Sequence, residues 1–209
     1  MNETGIAVTR NGLLLAGFAL LTAVLVAGTY LATKDSIAAA QRAAEEQALL
    51  EIIPRDEHDN SMLDDREWAP VGDPLLQLDA PRPIYLARRG DRTVAAIIPA
   101  RAPDGYSGAI DFIVGVRRSG EIAGVRVLRH RETPGLGDAV DHRKSNWIDG
   151  FVGRSLSNPA PEGWQVRKDG GVFDQFTGAT ITPRAVVNAT ARVLRYAQEN
   201  RAQLFPEQE

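Results

Sequence analysis

Between Gly12 and Ala32 the chain carries no charged residue and is built mainly of Leu, Ala and Val. At about 1.5 Å of rise per residue a helix over this run reaches about 30 Å, the thickness of the hydrocarbon core of a bilayer. Such a segment either crosses a membrane or is cut away as a leader. The apolar core of a leader runs only about 7–15 residues, and no A-x-A site stands before Lys34. The reading is therefore an uncleaved transmembrane helix over residues 12–32, preceded by a tail of residues 1–11. Tyr30 lies where an interfacial aromatic is expected. Arg10 on one side faces Lys34 and Arg42 on the other, so charge does not orient the helix.

Beyond the span, Ile37, Ala40, Ala44, Ala48, Leu49, Ile52 and Ile53 recur three and four apart among polar residues. This spacing predicts an amphipathic helix over Ser36 to Ile53, capped by Asp35 or Ser36 and stopped by Pro54. Arg55 to Pro74 is dense in charge and proline and reads as a loop, so residues 33–82 form an amphipathic helix and linker. The domain proper is expected over residues 83–209. Ile84–Ala87 and Thr93–Ile98 flank a turn at Gly90, and Ile110–Val116 and Ile122–Leu128 flank one at Ser119-Gly120. Successive strands with short turns predict an antiparallel sheet. A further hairpin is expected around Lys168-Asp169-Gly170, and a helix with Asp138 as its cap and Ala139, Val140, Trp147, Ile148 and Phe151 inside. From Pro183 onward Val186, Val187, Thr190, Val193, Leu194, Ala197 and Leu204 make a helical stripe, with Arg184, Arg192, Arg195 and Arg201 off it and solvated. The fold class is thus α+β, a mostly antiparallel sheet packed against helices behind a membrane anchor.

Cysteine is absent, which removes disulfides, thiolate zinc sites, cysteine-ligated iron–sulfur clusters and thiol nucleophiles. His58, His130 and His142 show no i, i+4 pairing, so no metal site is expected. A net charge of -3 gives no reason to expect nucleic acid. If this chain carries electrons, the carrier is something other than a metal held by these residues.

Two stretches remain. In Glu132-Thr133-Pro134-Gly135-Leu136-Gly137 the two glycines would let backbone approach a flat ligand while Leu136 meets its face; the same residues also suit a tight loop that opens a helix. In Asp174-Gln175-Phe176-Thr177-Gly178-Ala179-Thr180-Ile181-Thr182-Pro183 a strand is expected to give way to the last helix, with Thr182 as N-cap and Pro183 in the first turn. Small residues before a helix start leave backbone N–H groups open to an anion, with Arg184 close enough to assist. Many ordinary helices begin the same way.

The run from Tyr106-Ser107-Gly108 through Gly120 to Glu132–Gly137, together with Asp174-x-x-Thr177-Gly178-Ala179-Thr180, resembles the FMN-binding domain shared by the G subunit of the Rnf (Rsx) complex and the C subunit of the sodium-pumping NADH:quinone reductase. The resemblance covers roughly residues 84–200, and the lone N-terminal anchor agrees with both. It implies FMN joined through its phosphate to Thr180 by a flavin transferase, with Thr177, Gly178 and Ala179 cradling the phosphate and Asp174 filling the first motif position. It also implies that Glu132, Thr133, Gly135, Leu136 and Gly137 meet the isoalloxazine. The compact size favours the Rnf subunit. The implied role is an electron relay in a membrane complex that couples ferredoxin and NAD to ion movement, without catalytic residues of its own. Its expected partners are the other membrane, iron–sulfur and flavin subunits. The expected location is the bacterial inner membrane, single-pass, with the C-terminal domain periplasmic. A membrane-anchored binding or scaffolding domain without cofactor is the rival reading.

Overall fold

The computed structural model describes residues 3–207, with side chains from residue 10 onward. The chain divides into two compact units, Met1–Glu45 and Glu46–Glu209. A single helix α1 (Glu3–Leu50) runs through the apolar segment of the first unit without interruption, and its last residues, from Glu46, belong to the second. The amphipathic helix expected from Ser36 is therefore no separate element, and Asp35 and Ser36 sit mid-helix rather than at a cap. The cause is local: from Leu31 to Ile53 there is neither Gly nor Pro to break the i→i−4 ladder. This helix is long and apolar enough to cross a membrane. Three of its threonines return their hydroxyls to the backbone, Thr22 to the Phe18 carbonyl, Thr29 to Leu25 and Thr33 to Thr29, each at 2.8 Å. In hydrocarbon that internal bond removes the cost of an unpaired hydroxyl.

The second unit is built on a five-stranded antiparallel sheet in chain order: β1 (Arg66–Ala69), β2 (Arg82–Arg89), β3 (Arg92–Ala102), β4 (Ile110–Arg117) and β5 (Ile122–Arg129). The four expected strands and both turns are present, with Gly90 and Gly120 at φ 57° and 90°. Strand β1 lies in the stretch read as a loop. Its four residues, Arg-Glu-Trp-Ala, carry no alternation strong enough to be seen without β2 beside it.

Helix α2 (Ile181–Glu199) and the short helix α3 (Arg201–Leu204) follow the sheet in sequence. One sheet face, with Ile84, Leu86, Ile98, Phe112 and Val114, packs with Val186, Val187, Val193 and Leu194 of α2. The opposite face, with Tyr85, Ala87, Ala95, Ile97 and Ile113, is covered by Leu49, Ile52, Ile53, Met62 and Leu63. Both faces are buried, which is why the strands lack clean polar alternation. Gly115 and Gly124, paired across β4 and β5, make a notch for Ile52, and a Cβ on Gly124 would lie 3.4 Å from its Cγ2. His58, for which the sequence offers no partner, is buried with its ring Nδ1 3.0 Å from the Asn60 carbonyl. The compact unit thus takes in the chain from Glu46, well ahead of residue 83.

The helix expected after Asp138 is two short 3-10 turns, Gly137–Val140 and Asn146–Phe151, separated at Asp141–Ser145. Asp141 and Ser145 accept backbone N–H bonds from Arg143 and Trp147, a local alternative to helical pairing. The expected hairpin around Lys168 is also absent. Val166 and Phe173 form one isolated bridge, and a 3-10 turn closes at Gly170 with φ 93°.

Candidate functional site

The two chemistry-bearing stretches meet, although residues 138–173 separate them. A cleft of about 390 Å³ in the second unit is lined by Tyr106, Glu132, Thr133, Leu136 and Gly137 on one side and by Gly178, Ala179, Thr180, Ile181 and Thr182 on the other. Three connections build it: the loop between β3 and β4, the loop leaving β5, and the entry to α2.

The α2 entry is held by aromatic packing. The Trp147 indole N–H donates to the Asp174 carbonyl at 2.7 Å, and its ring meets Phe176 edge-on at 5.0 Å and Phe151 at 5.4 Å. Phe151 is fully buried and stacks at 4.6 Å on Phe173. Trp147 and Phe151 are core residues, as their spacing suggests, but they also anchor the Asp174–Thr180 stretch from behind. No strand runs directly into α2 over residues 174–180. Instead the Ala179 N–H returns to the Phe176 carbonyl at 3.1 Å around Gly178, whose φ of 80° suits a glycine. α2 then begins at Ile181, with Thr180 in the capping position and its hydroxyl making no capping bond. The Thr180 carbonyl accepts the first helical bond, from the Arg184 N–H at 3.2 Å. The N–H groups of Ile181 and Thr182 have no intrahelical acceptor at that position, and Pro183 has no N–H to satisfy.

Thr182 is not the N-cap that its place before Pro183 suggests. It is fully buried and donates its hydroxyl to Glu132 Oε2. Glu132 is only 4% exposed, and its other oxygen accepts the Ser107 N–H at 3.0 Å. Of the loop glycines, Gly135 takes φ 77° with open space around it, and its N–H donates to Asp138 Oδ1 at 2.7 Å. Gly137 is different: a Cβ there would lie 2.6 Å from Glu132 Oε2 and 2.9 Å from Thr182 Oγ1. Its smallness serves the packing of Glu132.

Of the residues singled out in the sequence, Glu132, Thr133, Leu136, Gly137, Gly178, Ala179 and Thr180 line the cleft. Gly135, Thr177 and Asp174 do not. Asp174 is exposed and paired with Arg167 at 3.0 Å, contributing its carbonyl rather than its carboxylate to the local structure. Arg184 turns to Asp169, at 2.7 and 2.9 Å, in a separate cleft that also holds Arg192 and Arg195. That pairing holds the Asp169 carboxyl below the usual carboxylate range. Arg192 is not solvated: it reaches the Leu75 and Arg101 carbonyls at 3.3 Å each, and burial lowers its pKa. Tyr106, Ile181 and Thr182 belong to the cleft but were not among the expected site residues. Tyr106, 69% exposed, stands in the first matched motif, the one signal that could have pointed to it. Among the described residues, no group of three or more His, Asp or Glu could hold a metal ion.

The sequence pattern of the FMN-binding domain family matches residues 105–195, a span that contains every wall of this cleft. A second pattern, the RnfG N-terminal region, matches residues 1–52. Across 202 residues the chain is 52% identical to the G subunit of the ion-translocating oxidoreductase complex of Pseudomonas aeruginosa strain UCBPP-PA14, covering 96% of this chain and 93% of that one. The chain belongs to the RnfG family, the G subunits of that complex. Two further members of the RnfG family are similar over nearly their whole length. The G subunit of Shewanella amazonensis is 46% identical over 198 residues, covering 95% of this chain and 92% of that protein. That of Vibrio vulnificus is 45% identical over 199 residues, covering 95% and 93%. The long apolar helix and the α+β domain with its antiparallel sheet are therefore the RnfG architecture, and the cleft lies in its FMN-binding domain.

Proposed function

We propose that this protein is an electron-relay subunit of an ion-translocating oxidoreductase complex of the Rnf type, passing electrons between ferredoxin and NAD through FMN esterified to the Thr180 hydroxyl. The observation that carries the proposal is the meeting of the two matched stretches in one cleft, with Thr180 at its helical wall and its hydroxyl uncommitted to a cap. The residues present suit such a group. Small residues at Gly178 and Ala179 leave room for a phosphate, and the N–H groups of Ile181 and Thr182 favour its charge. Leu136, Tyr106 and Ile181 are 43%, 69% and 45% exposed at the cleft, an apolar rim for a flat aromatic ring.

When bound, FMN supplies the electron chemistry, and the protein supplies binding, orientation and electrostatics. Thr180 would hold the phosphate so that the group cannot diffuse away. Leu136, Tyr106 and Ile181 would keep water from one side of the ring. Thr133 would offer a hydroxyl and backbone groups at the polar edge. Asp174 and Thr177 act outside the cleft, where a flavin transferase would read the motif before attachment. The relatives, named as G subunits of an ion-translocating oxidoreductase complex, favour this complex over the sodium-pumping quinone reductase. In this reading α1 crosses the bacterial inner membrane, the FMN domain lies on the periplasmic side, and the partners are the other membrane and iron–sulfur or flavin subunits of the complex.

The test is co-expression of the full chain in membranes with a flavin transferase, followed by mass spectrometry of the peptide containing Thr180. The expected result is an FMN adduct that survives denaturation in wild type and is absent from Thr180→Ala. Unmodified wild-type protein would overturn the relay reading, as the scaffold alternative requires. An adduct kept by Thr180→Ala would move the attachment elsewhere.

A further inference from the structure

We propose that Glu132 is a positioning residue, a keystone whose carboxylate locks the three walls of the cleft together and thereby presets Thr180 for flavin attachment. This rests on the reading of Thr180 as the attachment residue. It reassigns Glu132 from a contact on the ring to a support behind it.

The three walls come from distant parts of the chain, and one side chain touches all of them. Glu132 follows β5, its Oε1 accepts the N–H of Ser107 in the β3–β4 loop, and its Oε2 accepts the hydroxyl of Thr182 in the first turn of α2. Ser107 is 25 positions away and Thr182 is 50. Both carboxylate oxygens are thus occupied by protein donors, and the group is almost entirely buried. A carboxylate so placed is held by charge-assisted bonds, and each remaining wall becomes costly to move alone. Its backbone is fixed as well, since the Glu132 N–H donates to His130 Nδ1 at 3.1 Å.

Gly137 is shaped around the carboxylate, since a Cβ there would meet Oε2 at 2.6 Å; a Cβ on Gly105 would meet Oε1 at 3.0 Å, although the Gly108 carbonyl stands closer still. Thr182 is itself fully buried two residues beyond Thr180, so tethering its hydroxyl fixes the first turn of α2 and with it the direction of the Thr180 side chain. Without the tether, the helix start would fray as helix starts ordinarily do.

Four variants of the full-length chain separate support from charge. Glu132→Gln keeps an acceptor for Ser107 and offers its amide to Thr182 Oγ1, whereas Glu132→Asp keeps the charge on an arm too short to reach both partners. Thr182→Val removes the hydroxyl, and Thr182→Ser retains it. Each is treated with transferase and flavin donor, with the rate of adduct formation and the visible circular dichroism of the attached flavin as readouts. Folding is checked by tryptophan fluorescence. Glu132→Gln and Thr182→Ser are expected within about threefold of wild type, and Glu132→Asp and Thr182→Val at least about tenfold slower with a weakened dichroic band, in line with loss of a bond to a charged group. If Glu132→Gln is the slowest, the charge itself acts on the flavin and the keystone role is wrong. If all four match wild type, the carboxylate positions nothing. Should Thr182→Val fail to fold, the Gln and Asp pair still decides. Wild-type protein that takes no flavin would instead sink the attachment reading.

Discussion

Two glycines two residues apart should respond to alanine for different reasons and by different amounts. Gly137 has no unusual backbone angle, so alanine is allowed there conformationally, but its methyl would sit 2.6 Å from Glu132 Oε2, 2.9 Å from Thr182 Oγ1 and 3.0 Å from Glu132 Cβ. All three atoms belong to buried side chains, so relief requires the carboxylate to withdraw from Thr182, from Ser107 or from both. Overpacking costs about 1–3 kcal/mol, and losing one bond to a charged group costs about 1.5–3 kcal/mol. Because moving aside to relieve the overlap is also what breaks the bond, the two costs partly replace each other, and about 3 kcal/mol is expected. Gly135 has open space at its Cβ position and a φ of 77°, so alanine there adds only the backbone cost, about 1 kcal/mol. For a domain of this size each kcal/mol moves the midpoint by about 2–4 °C, which gives roughly 6–12 °C for Gly137→Ala and 2–4 °C for Gly135→Ala. Thermal melting in detergent, followed by the fluorescence of the buried Trp164 and half-buried Trp147, measures both. Equal losses, or a larger loss at Gly135, would refute the packing of Gly137 against Glu132.

Phe151→Ala should cost about 3–5 kcal/mol, since the ring is fully buried and contacts Trp147, Trp164 and Phe173. Urea denaturation read by near-ultraviolet dichroism gives the value, and a loss under 1 kcal/mol would contradict the aromatic anchor behind Phe176. Asp141 provides a pH test. The hydrogen bond from Arg143 holds its carboxyl below the usual range, against the opposing effect of burial. A carboxyl lowered on folding stabilises the protein above its unfolded value of about 3.9 and loses that contribution as pH falls through the folded value. The stability gap between wild type and Asp141→Asn should therefore be flat near neutrality and shrink below about pH 4. Arg143 is largely exposed, so the gap is about 1 kcal/mol or less. A gap that widens on acidification would reverse the assignment.

The features legible from residue order alone are those with a local cause. The apolar run at Gly12–Ala32, the turns at Gly90 and Gly120, and the stripe of α2 each follow from spacing or from one residue's backbone freedom. The motifs at Glu132–Gly137 and Asp174–Thr180 were visible too, because backbone chemistry and small size mark them. Features with a distant cause were not legible. β1 exists because β2 lies beside it. Arg192 leaves solvent only because the Leu75 and Arg101 carbonyls come within its reach. The break in the helix expected after Asp138 is the exception, a local cause that hydrophobic spacing does not register, since Asp141 and Ser145 accept backbone bonds from only two residues on.

Glu132 marks the division most sharply. In one dimension it is a polar residue beside two glycines, free to face a ligand. Only folding brings Ser107 and Thr182 to its two oxygens and turns it inward. Local order determined that this chain would have a membrane-length helix, an antiparallel sheet and a small-residue entry to its last helix. Tertiary structure decided which side chains meet the cleft and which hold its walls, because a buried carboxylate must take its donors from wherever the chain delivers them.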